Sequence, residues 1–366
     1  MTIIVEAAVG IFFTFYVVVI CALLIGWKKA QGMSPTACHQ PTRSNECTLV
    51  SVVIAARNEA NTLPFLIHDL QQQQGCRFEV IIVDDGSEDN TIANTRQSIN
   101  DDPRFTILPS TQAGKKSALS LGVHHANGTI ILTTDADCRV GANWIANMTS
   151  AFIDPSTMLV FGPVRIAGTT PFDELQAIEF STLVGTAAAT LAISRPTMCN
   201  GANLSYRKAA FINVGGYTGD IGIPSGDDEF LMRKILKIYP ESVRYCSAQE
   251  AWVATAPSET IKAFFHQRVR WAGKWKFNES PTSLLLAGFV FLFHLMVVAI
   301  PCLLVMKLVS PTIAVAALAG KAVFELIFVN TVRLALGIRW NWLAFAGLQL
   351  FLQLLCCHCG NQQSLR

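Results

Sequence analysis

Two stretches decide the fold of this chain: Val80-Ile81-Ile82-Val83-Asp84-Asp85-Gly86-Ser87 and Ile130-Ile131-Leu132-Thr133-Thr134-Asp135-Ala136-Asp137. In each, a short apolar run ends in carboxylates, which is typical of a buried strand followed by a polar loop. Similar runs occupy 49–55 and 105–108, and helical patterns occupy 61–73 and 91–100. This alternation predicts an α/β domain with a mostly parallel, doubly wound sheet covered by helices.

Ligands of such sheets bind beyond the carboxyl ends of the strands, where these carboxylates stand. Asp84 or Asp85 could accept hydrogen bonds from the base or ribose of a nucleotide. The same residues could equally serve as caps, because Asp-Gly-Ser-Glu before Asp89-Asn90-Thr91 is good turn and helix-capping chemistry. The sequence leaves both interpretations open.

Asp135 and Asp137 lie one residue apart at a predicted strand end. Carboxylate oxygens are ligands for a hard divalent cation, Mg²⁺ or Mn²⁺, whose other positions diphosphate oxygens and water can fill. A bound cation would offset the charge that builds up on a departing diphosphate. The alternative is a solvated acidic loop.

A third acidic cluster, Asp227-Asp228-Glu229, precedes an apolar-periodic helix over 230–236. Acidic residues at this position compensate the helix dipole, which is a sufficient structural reason for them. The functional alternative is a general base, for which Asp228 is the first candidate and Asp227 the second.

Two further segments lie between these clusters. Gly114-Lys115-Lys116-Ser117 resembles the end of a phosphate-binding loop, but Pro109 stands where the motif requires glycine. Lys115 is a candidate contact for a diphosphate, or a plain surface lysine. The stretch from Gly201 to Arg207, which includes Asn203, is predicted to form a loop that shapes a pocket.

The composition predicts a membrane protein. Hydrophobic residues make up 51% of the 366 residues and charged residues only 15%. The net charge of +2 gives no support for nucleic-acid binding. Eleven cysteines are present, and a cytoplasmic domain would keep them reduced. The dense group from Cys356 to Cys359 is interpreted as small apolar filling of a membrane helix.

Apolar segments bracket the mixed sequence and define the predicted domains. These are an N-terminal anchor (1–27), a linker (28–47), a catalytic domain (48–257), an amphipathic interface helix (258–281) and a C-terminal membrane region (282–366) with spans near 283–306, 312–332 and 340–359. Basic residues that flank the spans favour a cytoplasmic domain at the inner or plasma membrane. Lys321 and Glu325, four residues apart in a span, predict a helical ion pair that faces other helices.

The interface helix combines aromatic and basic residues, as expected of a helix that lies on a membrane surface. It contains Gln267-Arg268-Val269-Arg270-Trp271. Trp271 could form an apolar floor for an acceptor sugar or lipid head group, and Arg270 could bind phosphate.

In this order the clusters resemble membrane-bound inverting glycosyltransferases of family 2, which have the GT-A fold, a Rossmann-like sheet. The resemblance rests on 53–59, 83–87, Gly114-Lys115, the Asp-x-Asp motif at 135–137, Gly201-Ala202-Asn203, 226–229 and the Gln-x-x-Arg-Trp motif at 267–271. It extends from about residue 49 to residue 275. The chain departs from the family at Gly226-Asp227-Asp228, where Glu-Asp is frequent, so the choice of base stays open between two aspartates.

The resemblance implies a UDP-sugar donor, a divalent cation and a lipid or glycan acceptor. Its implied donor-binding residues are Ala55, Arg57, Glu59, Asp84, Asp85, Lys115, Asp135, Gln267 and Arg270. Asp137 is the chief metal ligand, with Asp135. Asp228 is the base, and Trp271, Gly201 and Asn203 contact the acceptor.

Four function classes therefore remain at this point. They are a transferase that adds one sugar to a lipid, a processive polysaccharide synthase, an inactive scaffold of the same fold and a carrier. The intact acidic clusters disfavour the scaffold, and the few ionisable residues in the spans disfavour the carrier. The oligomeric state is not indicated by the sequence.

Overall fold

The computed structural model describes residues 2–33, 48–194, 196–219, 226–273 and 281–349. The chain divides into two compact units. A helical unit comprises Met1–Lys28, Gly168–Ile193 and Pro257–Arg366, and a sheet unit comprises Lys29–Ala167 and Ser194–Ala256. Most of the predicted linker, the cysteine cluster and the end of the span predicted at 340–359 lie outside the described residues.

The strands of the described residues all belong to the sheet unit. In the described residues they are β1 (Val50–Ala56), β2 (Phe78–Asp84), β3 (Phe105–Pro109), β4 (Ile130–Thr133), β5 (Arg139–Val140), β6 (Leu159–Phe161), β7 (Val164–Ile166), β8 (Leu204–Arg207), β9 (Val243–Tyr245) and β10 (Val253–Thr255). Its helices are α2 (Leu63–Gln71), α3 (Thr91–Ile99), α4 (Lys115–His125), α5 (Trp144–Thr149), α7 (Lys208–Asn213) and α8 (Asp227–Ile238). Short 3₁₀ helices occupy Ser150–Ile153, Gly201–Asn203 and Gln249–Ala251.

Seven of the described strands form one sheet in the order β3-β2-β1-β4-β8-β6-β9. The first four are parallel, β8 is antiparallel to both β4 and β6, and β9 is parallel to β6. The chain proceeds from β1 to β2 and β3 and then returns to place β4 on the other side of β1. This reversal creates the switch point at which ligands bind in such sheets. The predicted mostly parallel α/β fold is confirmed.

Burial explains why the central strands read as continuous apolar runs. Val52, Val53 and Ile54 of β1 have no exposed surface, as is usual for a parallel strand covered on both faces. Helix α4 packs on β1 and β2. At Gly122 of α4 a Cβ atom would lie 2.4 Å from Val53, so glycine allows this close approach. A smaller sheet, β5-β10-β7, lies within the same unit.

The helical unit contains α1 (Thr2–Gly32, up to Lys28), α6 (Pro171–Ile193), α9 (Ile261–Ala272), α10 (Pro281–Val305) and α11 (Pro311–Ala335) in the described residues. A further helix covers 342–349, where the described residues end. By length and composition α1, α6, α10 and α11 could cross a membrane. Three of these match predicted spans. Helix α6, which lies within the range 48–257 predicted for the catalytic domain, belongs to the helical unit.

The contacts of α1, α10 and α11 show which of their ends lie together. Near the start of α1, Glu6 accepts a hydrogen bond of 2.9 Å from the backbone N–H of Ser310, which precedes α11. Val9 packs with Ile300, near the end of α10. The opposite ends of α1 and α11 both approach α6. For α1 the approach is at its own Gly26, and for α11 it is at Gly185 of α6. The chain therefore runs up through α1, back through α10 and up again through α11.

A polar cluster joins these helices within their apolar surroundings. Lys321 and Glu325 form the predicted ion pair at 2.8 Å. Gln349 accepts a hydrogen bond from Lys321 at 2.9 Å and donates one to Glu325 at 2.7 Å. Tyr16 of α1 also donates a hydrogen bond to Glu325. The prediction that the pair faces other helices is confirmed.

Candidate active site

The carboxyl ends of β1, β2 and β4 meet at one edge of the seven-stranded sheet, because the three strands are parallel neighbours. Strand β8 runs the other way, and its first residue, Leu204, pairs with Thr133 at the end of β4. The 3₁₀ helix Gly201–Asn203 therefore reaches the same edge. The predicted site residues of the sheet unit are thus carried by loops that begin or end at this edge.

The loops after β1 and β2 are joined by hydrogen bonds. Thr91 Oγ1 accepts from the Glu59 backbone N–H at 2.7 Å, and Ser87 Oγ accepts from that of Asn58 at 3.0 Å. Asn58 has a positive φ of 58°, a conformation that asparagine tolerates better than most residues. Ala55 is half-buried on β1, and Arg57, two residues further on, is exposed.

The two aspartates after β2 differ in their contacts. Asp84 Oδ1 accepts a hydrogen bond of 3.1 Å from the Ser87 backbone N–H, so Asp84 caps the turn, which was one of its two predicted roles. Asp85 is buried, and its Oδ1 accepts a bond of 2.7 Å from the Gly114 backbone N–H. Asp85 thereby fixes the start of α4, immediately before Lys115.

Lys115 links two of the acidic clusters. Its Nζ lies 2.6 Å from Asp135 and 3.5 Å from Asp227. Desolvation lowers the pKa of the ammonium, but the charges of Asp135 and Asp227 outweigh this effect and raise the pKa above its ordinary value. Lys115 therefore stays protonated and brings a permanent positive charge to a site that has several carboxylates.

Asp137 lines a cleft of about 260 Å³. Other residues that line the cleft are Thr62, Phe65, Arg139, Ala167 and Thr255. Thr255 Oγ1 donates to Asp137 Oδ2 over 3.4 Å. Burial, together with the charge of Asp135, raises the pKa of Asp137 above its usual value. Asp137 is thus a carboxylate that would gain from a nearby positive charge.

Glu59 belongs to the same electrostatic group. Burial raises the pKa of Glu59, a hydrogen bond with Thr62 opposes the increase, and the charges of Asp137 and Asp135 add to it. Carboxylates from the loops after β1 and β4 therefore repel one another in the absence of a ligand. Acids with raised pKa values that lie close together are a general sign of a functional site.

The two adjacent aspartates at the start of α8, Asp227 and Asp228, have different partners. Asp228 Oδ2 accepts a hydrogen bond of 3.0 Å from the Gly201 backbone N–H, and its Oδ1 accepts one of 2.7 Å from that of Glu229. Asp227 instead faces Lys115. A Cβ atom at position 201 would lie 3.1 Å from Asp227 Oδ2, so glycine lets α8 approach this closely.

The structure corrects the acceptor-binding role predicted for the Asn203 side chain. Asn203 is fully buried. Its Nδ2 donates to the carbonyl oxygens of Pro163 at 2.9 Å and Ala251 at 2.8 Å, and its Oδ1 accepts from Trp144 Nε1 at 3.0 Å. These bonds use both amide hydrogens and the oxygen, so the side chain fixes the 3₁₀ helix and is not available to an acceptor.

Gln267, Arg270 and Trp271 lie on α9 of the helical unit. Arg270 is exposed, whereas Gln267 and Trp271 are half-buried. The Trp271 ring packs on Phe180 of α6 with 5.8 Å between the ring centroids. Arg268, which the basic pattern placed on the membrane-facing surface, is buried and forms an ion pair with Glu179 at 2.5 Å. Sequence reasoning missed this pair.

The carboxylates suit a divalent cation. In the described part of the chain no cluster of three or more Asp, Glu, His or Cys side chains forms a complete metal site. Asp135 and Asp137 offer hard oxygen ligands, and a diphosphate and water could complete the coordination. The raised pKa of Asp137 beside Asp135 also fits, since a bound cation would relieve this repulsion.

The sheet and this edge of carboxylates are those of the GT-A class of folds, and the described residues also contain helices long and apolar enough to cross a membrane. Residues 51–215 match the family model described as glycosyl transferase family 2. This match is to the predicted family and supports the predicted transferase activity. The inactive scaffold is correspondingly disfavoured.

Curated relatives and solved structures agree with this class. An N-acetylglucosaminyltransferase of Rhizobium meliloti is 26% identical over 250 residues, which cover 65% of this chain and 58% of the relative. A poly-beta-1,6-N-acetyl-D-glucosamine synthase of Staphylococcus aureus is 26% identical over 228 residues, 61% of this chain and 53% of the relative. The chain thus spans little more than half the length of these relatives.

A mannosyltransferase from Pyrobaculum calidifontis, solved with GDP-Man and Mn²⁺, superposes with a TM-score of 0.60 at 20% identity. The superposition covers 99% of this chain and all of the other. At this level of identity the match supports the fold.

Proposed function

We propose that this protein transfers one sugar, with inversion, from a UDP-sugar to a membrane lipid at the cytoplasmic face. The observation that carries the proposal is the sheet edge at which Asp135, Lys115, Asp227 and Asp228 are linked by ion pairs and by the Gly201 hydrogen bond. This arrangement combines a base, a permanent cation and metal-ligating carboxylates, which displacement of a diphosphate from a sugar requires.

In the proposed mechanism Asp228 is the general base. Its two oxygens are oriented by backbone N–H groups, so the carboxylate is held in one direction. Asp228 takes the proton of the acceptor hydroxyl while that oxygen attacks the anomeric carbon. The bond between this carbon and the diphosphate oxygen breaks on the opposite face, and the configuration inverts. Asp227 is the second candidate.

The leaving diphosphate is stabilised by positive charge. Lys115 contributes the ammonium, which moves from its contacts with Asp135 and Asp227 toward the diphosphate. Asp137 and Asp135 would hold Mg²⁺ or Mn²⁺, which when bound supplies Lewis-acid stabilisation of the leaving group. The Mn²⁺ bound by the mannosyltransferase of the same fold supports this choice of cation.

The donor and acceptor contacts remain assignments of the proposal. Ala55, Arg57, Glu59, Asp84 and Asp85 surround the nucleoside. Of the three carboxylates, that of Asp85 is buried. Gln267 and Arg270 bind the donor, and Trp271 and the backbone of Gly201 contact the acceptor. The relatives named for N-acetylglucosamine make UDP-N-acetylglucosamine the first donor to test.

The arrangement of the helical unit supports a lipid acceptor and a cytoplasmic site. The ends of α1 and α11 that approach α6 are the ends that carry Lys29 and Arg333. Basic residues are retained on the cytoplasmic side of membrane spans. Helix α9, with its exposed Lys262 and Arg270, has the character of an interface helix.

A second candidate is a processive synthase, which the name of the Staphylococcus aureus relative favours. The described residues contain four helices that could cross a membrane, and we take this number to favour transfer of a single sugar over construction of a polymer channel. The test uses the purified chain in nanodiscs with radiolabelled UDP-N-acetylglucosamine, Mn²⁺ and a bacterial lipid extract. Mass spectrometry should find lipids that carry one added sugar, absent with Asp228→Asn. Long glycan chains would establish the second candidate instead.

A further inference from the structure

Arg268 occupies an unusual place in the interface helix. Its side chain is only 4% exposed, and that of its partner Glu179 only 5%. Arg268 Nε donates to Glu179 Oε1 at 2.9 Å, and Nη2 donates to Oε2 at 2.5 Å. This bidentate geometry is the strongest form of an arginine–carboxylate pair, and here it is shielded from water.

The same guanidinium contacts two neighbours in the Gln-x-x-Arg-Trp segment. Nη1 donates to Gln267 Oε1 at 2.5 Å. The guanidinium carbon lies 4.3 Å from the ring centroid of Trp271 and 4.2 Å from that of Phe264. Phe264 and Trp271 are four residues before and three after Arg268, so all three lie on one face of α9. Arg268 therefore fixes Gln267 from one side and Trp271 from another.

Helix α6 provides the fixed support for this arrangement. Gln176 exchanges two hydrogen bonds with the backbone of Ser258, just before α9. Phe172 packs on Phe264, and Phe180 packs on Trp271. Together with Glu179 these residues form one face of α6, since their spacing follows the helical repeat.

Stability alone is a weak reason to bury such a pair. Well-packed apolar residues can often replace a buried ion pair without loss of stability, although removal of one partner leaves a costly unpaired charge. The hydrogen bond to Gln267 and the cationic contact with the Trp271 ring could not be reproduced by an apolar replacement.

We propose that Arg268, held by Glu179, is a positioning residue that fixes the Gln267 amide and the Trp271 ring for sugar transfer. The proposal deepens the proposed function and rests on the donor and acceptor roles given there to Gln267 and Trp271. A small displacement of positioned groups reduces the rate of transfer by up to about 100-fold.

The test compares Arg268→Met, Glu179→Leu and the double variant Arg268→Met/Glu179→Leu in the full chain in nanodiscs. We expect each single change to lower the melting temperature, and the double change to restore much of it. Transfer from UDP-N-acetylglucosamine should remain at least about tenfold reduced in the double variant, since Gln267 and Trp271 have lost their partner. Arg268→Lys, which keeps one charge-assisted bond, should be intermediate.

A spectroscopic measurement tests the positioning without any substrate. The protein is labelled with 5-fluorotryptophan, and the ¹⁹F signal of Trp271 is identified by its loss in Trp271→Phe. This signal should shift or broaden in the double variant, and Lys262→Gln, which removes an exposed charge from the same helix, should leave it unchanged. An unchanged Trp271 signal in a folded double variant would overturn the proposal.

The activities separate this proposal from the proposed function. If Gln267→Ala and Trp271→Ala lose transfer but the folded double variant keeps the unmutated rate, the positioning role of Arg268 is wrong and the proposed function stands. If Gln267→Ala and Trp271→Ala transfer at the unmutated rate, the roles given to those residues in the proposed function are wrong, and the positioning proposal falls with them.

Discussion

Carboxylates at the two edges of the seven-stranded sheet differ in their hydrogen bonds and in the direction of their pKa shifts. At the amino edge, Glu79 at the start of β2 accepts hydrogen bonds from Ser51 Oγ at 2.5 Å, from the Asn127 backbone N–H at 2.6 Å and from Asn127 Nδ2 at 2.9 Å. At the carboxyl edge, Asp137 accepts few hydrogen bonds, and burial together with the negative charge of Asp135 raises its pKa.

The pKa values follow this difference. Burial raises the pKa of Glu79, but hydrogen bonds from Ser51, Asn127 and Gly128 outweigh it, and the pKa is lowered overall. The pKa values of Glu59 and Asp137 are raised. Protein groups thus stabilise the Glu79 carboxylate at the amino edge, whereas the carboxylates of Glu59 and Asp137 at the carboxyl edge are destabilised in the free protein. A carboxylate that is destabilised in the free protein is one on which a bound cation has most effect.

The largest expected effect at the carboxyl edge comes from Asp228→Asn. The carboxamide has almost the same shape but cannot take the acceptor proton, and loss of a general base typically costs about 10²–10⁴-fold in rate. We expect transfer to fall at least about 1,000-fold and donor binding to change less than about twofold. Initial rates and calorimetric titration with UDP-N-acetylglucosamine measure the two quantities.

Asp227→Asn is the matched control for this assignment. Asp227 faces Lys115, so its variant should weaken donor binding and reduce transfer by only about tenfold, the effect of about 1.4 kcal/mol. The reverse pattern, in which Asp227→Asn binds the donor normally and is inactive, would transfer the role of base to Asp227.

The next effect concerns the cation. Asp137→Ala should weaken Mn²⁺-dependent donor binding by about 100-fold, equivalent to about 2.7 kcal/mol. Binding measured without a divalent cation should change little. Asp154→Ala removes an exposed carboxylate that pairs with Arg244 and is the matched control. Equal metal dependence in Asp137→Ala and the parent protein would show that the ligands are other residues.

The role of Lys115 predicts a smaller effect. Lys115→Met removes the cation that contacts Asp135 and Asp227, and should raise the KM for the donor by about tenfold, equivalent to about 1.4 kcal/mol. Lys237→Met, which removes an exposed charge from the last turn of α8, should leave KM unchanged. A similar KM for both variants would identify Lys115 as the plain surface lysine that the sequence also allowed.

The parts of the fold that depend on local pattern could be predicted from the sequence. Strands β1, β2, β3 and β4 were predicted within about one residue, because buried parallel strands are uninterrupted apolar runs. The α1, α10 and α11 spans were predicted by the same logic of long apolar segments. The Asp-x-Asp pair was predicted to follow a strand, and it does.

Contacts between distant segments could not be predicted in this way. Arg268 and Glu179 are 89 positions apart, and the basic pattern around Arg268 indicated the membrane surface, yet the side chain is buried. Asn203 stood in a predicted pocket loop, but its partners Trp144, Pro163 and Ala251 come from three other segments. The local periodicity of the sequence does not indicate such tertiary hydrogen bonds.

The smallest effect on transfer, and the sharpest test of the comparison between the edges, comes from Glu79→Gln at the amino edge. The amide loses an acceptor oxygen among the donors Ser51, Asn127 and Gly128, so unfolding should become easier by about 1–2 kcal/mol, with transfer unchanged. Folding lowers the pKa of Glu79. Its contribution to the free energy of unfolding is therefore complete above the unfolded pKa of about 4.3, and it is lost as the pH falls through the folded pKa. Thermal unfolding should therefore give a lower melting temperature for the variant than for the parent protein at pH 7, and this difference should shrink below about pH 4. A variant that keeps its stability but loses transfer would show that the two edges do not divide structural from functional carboxylates.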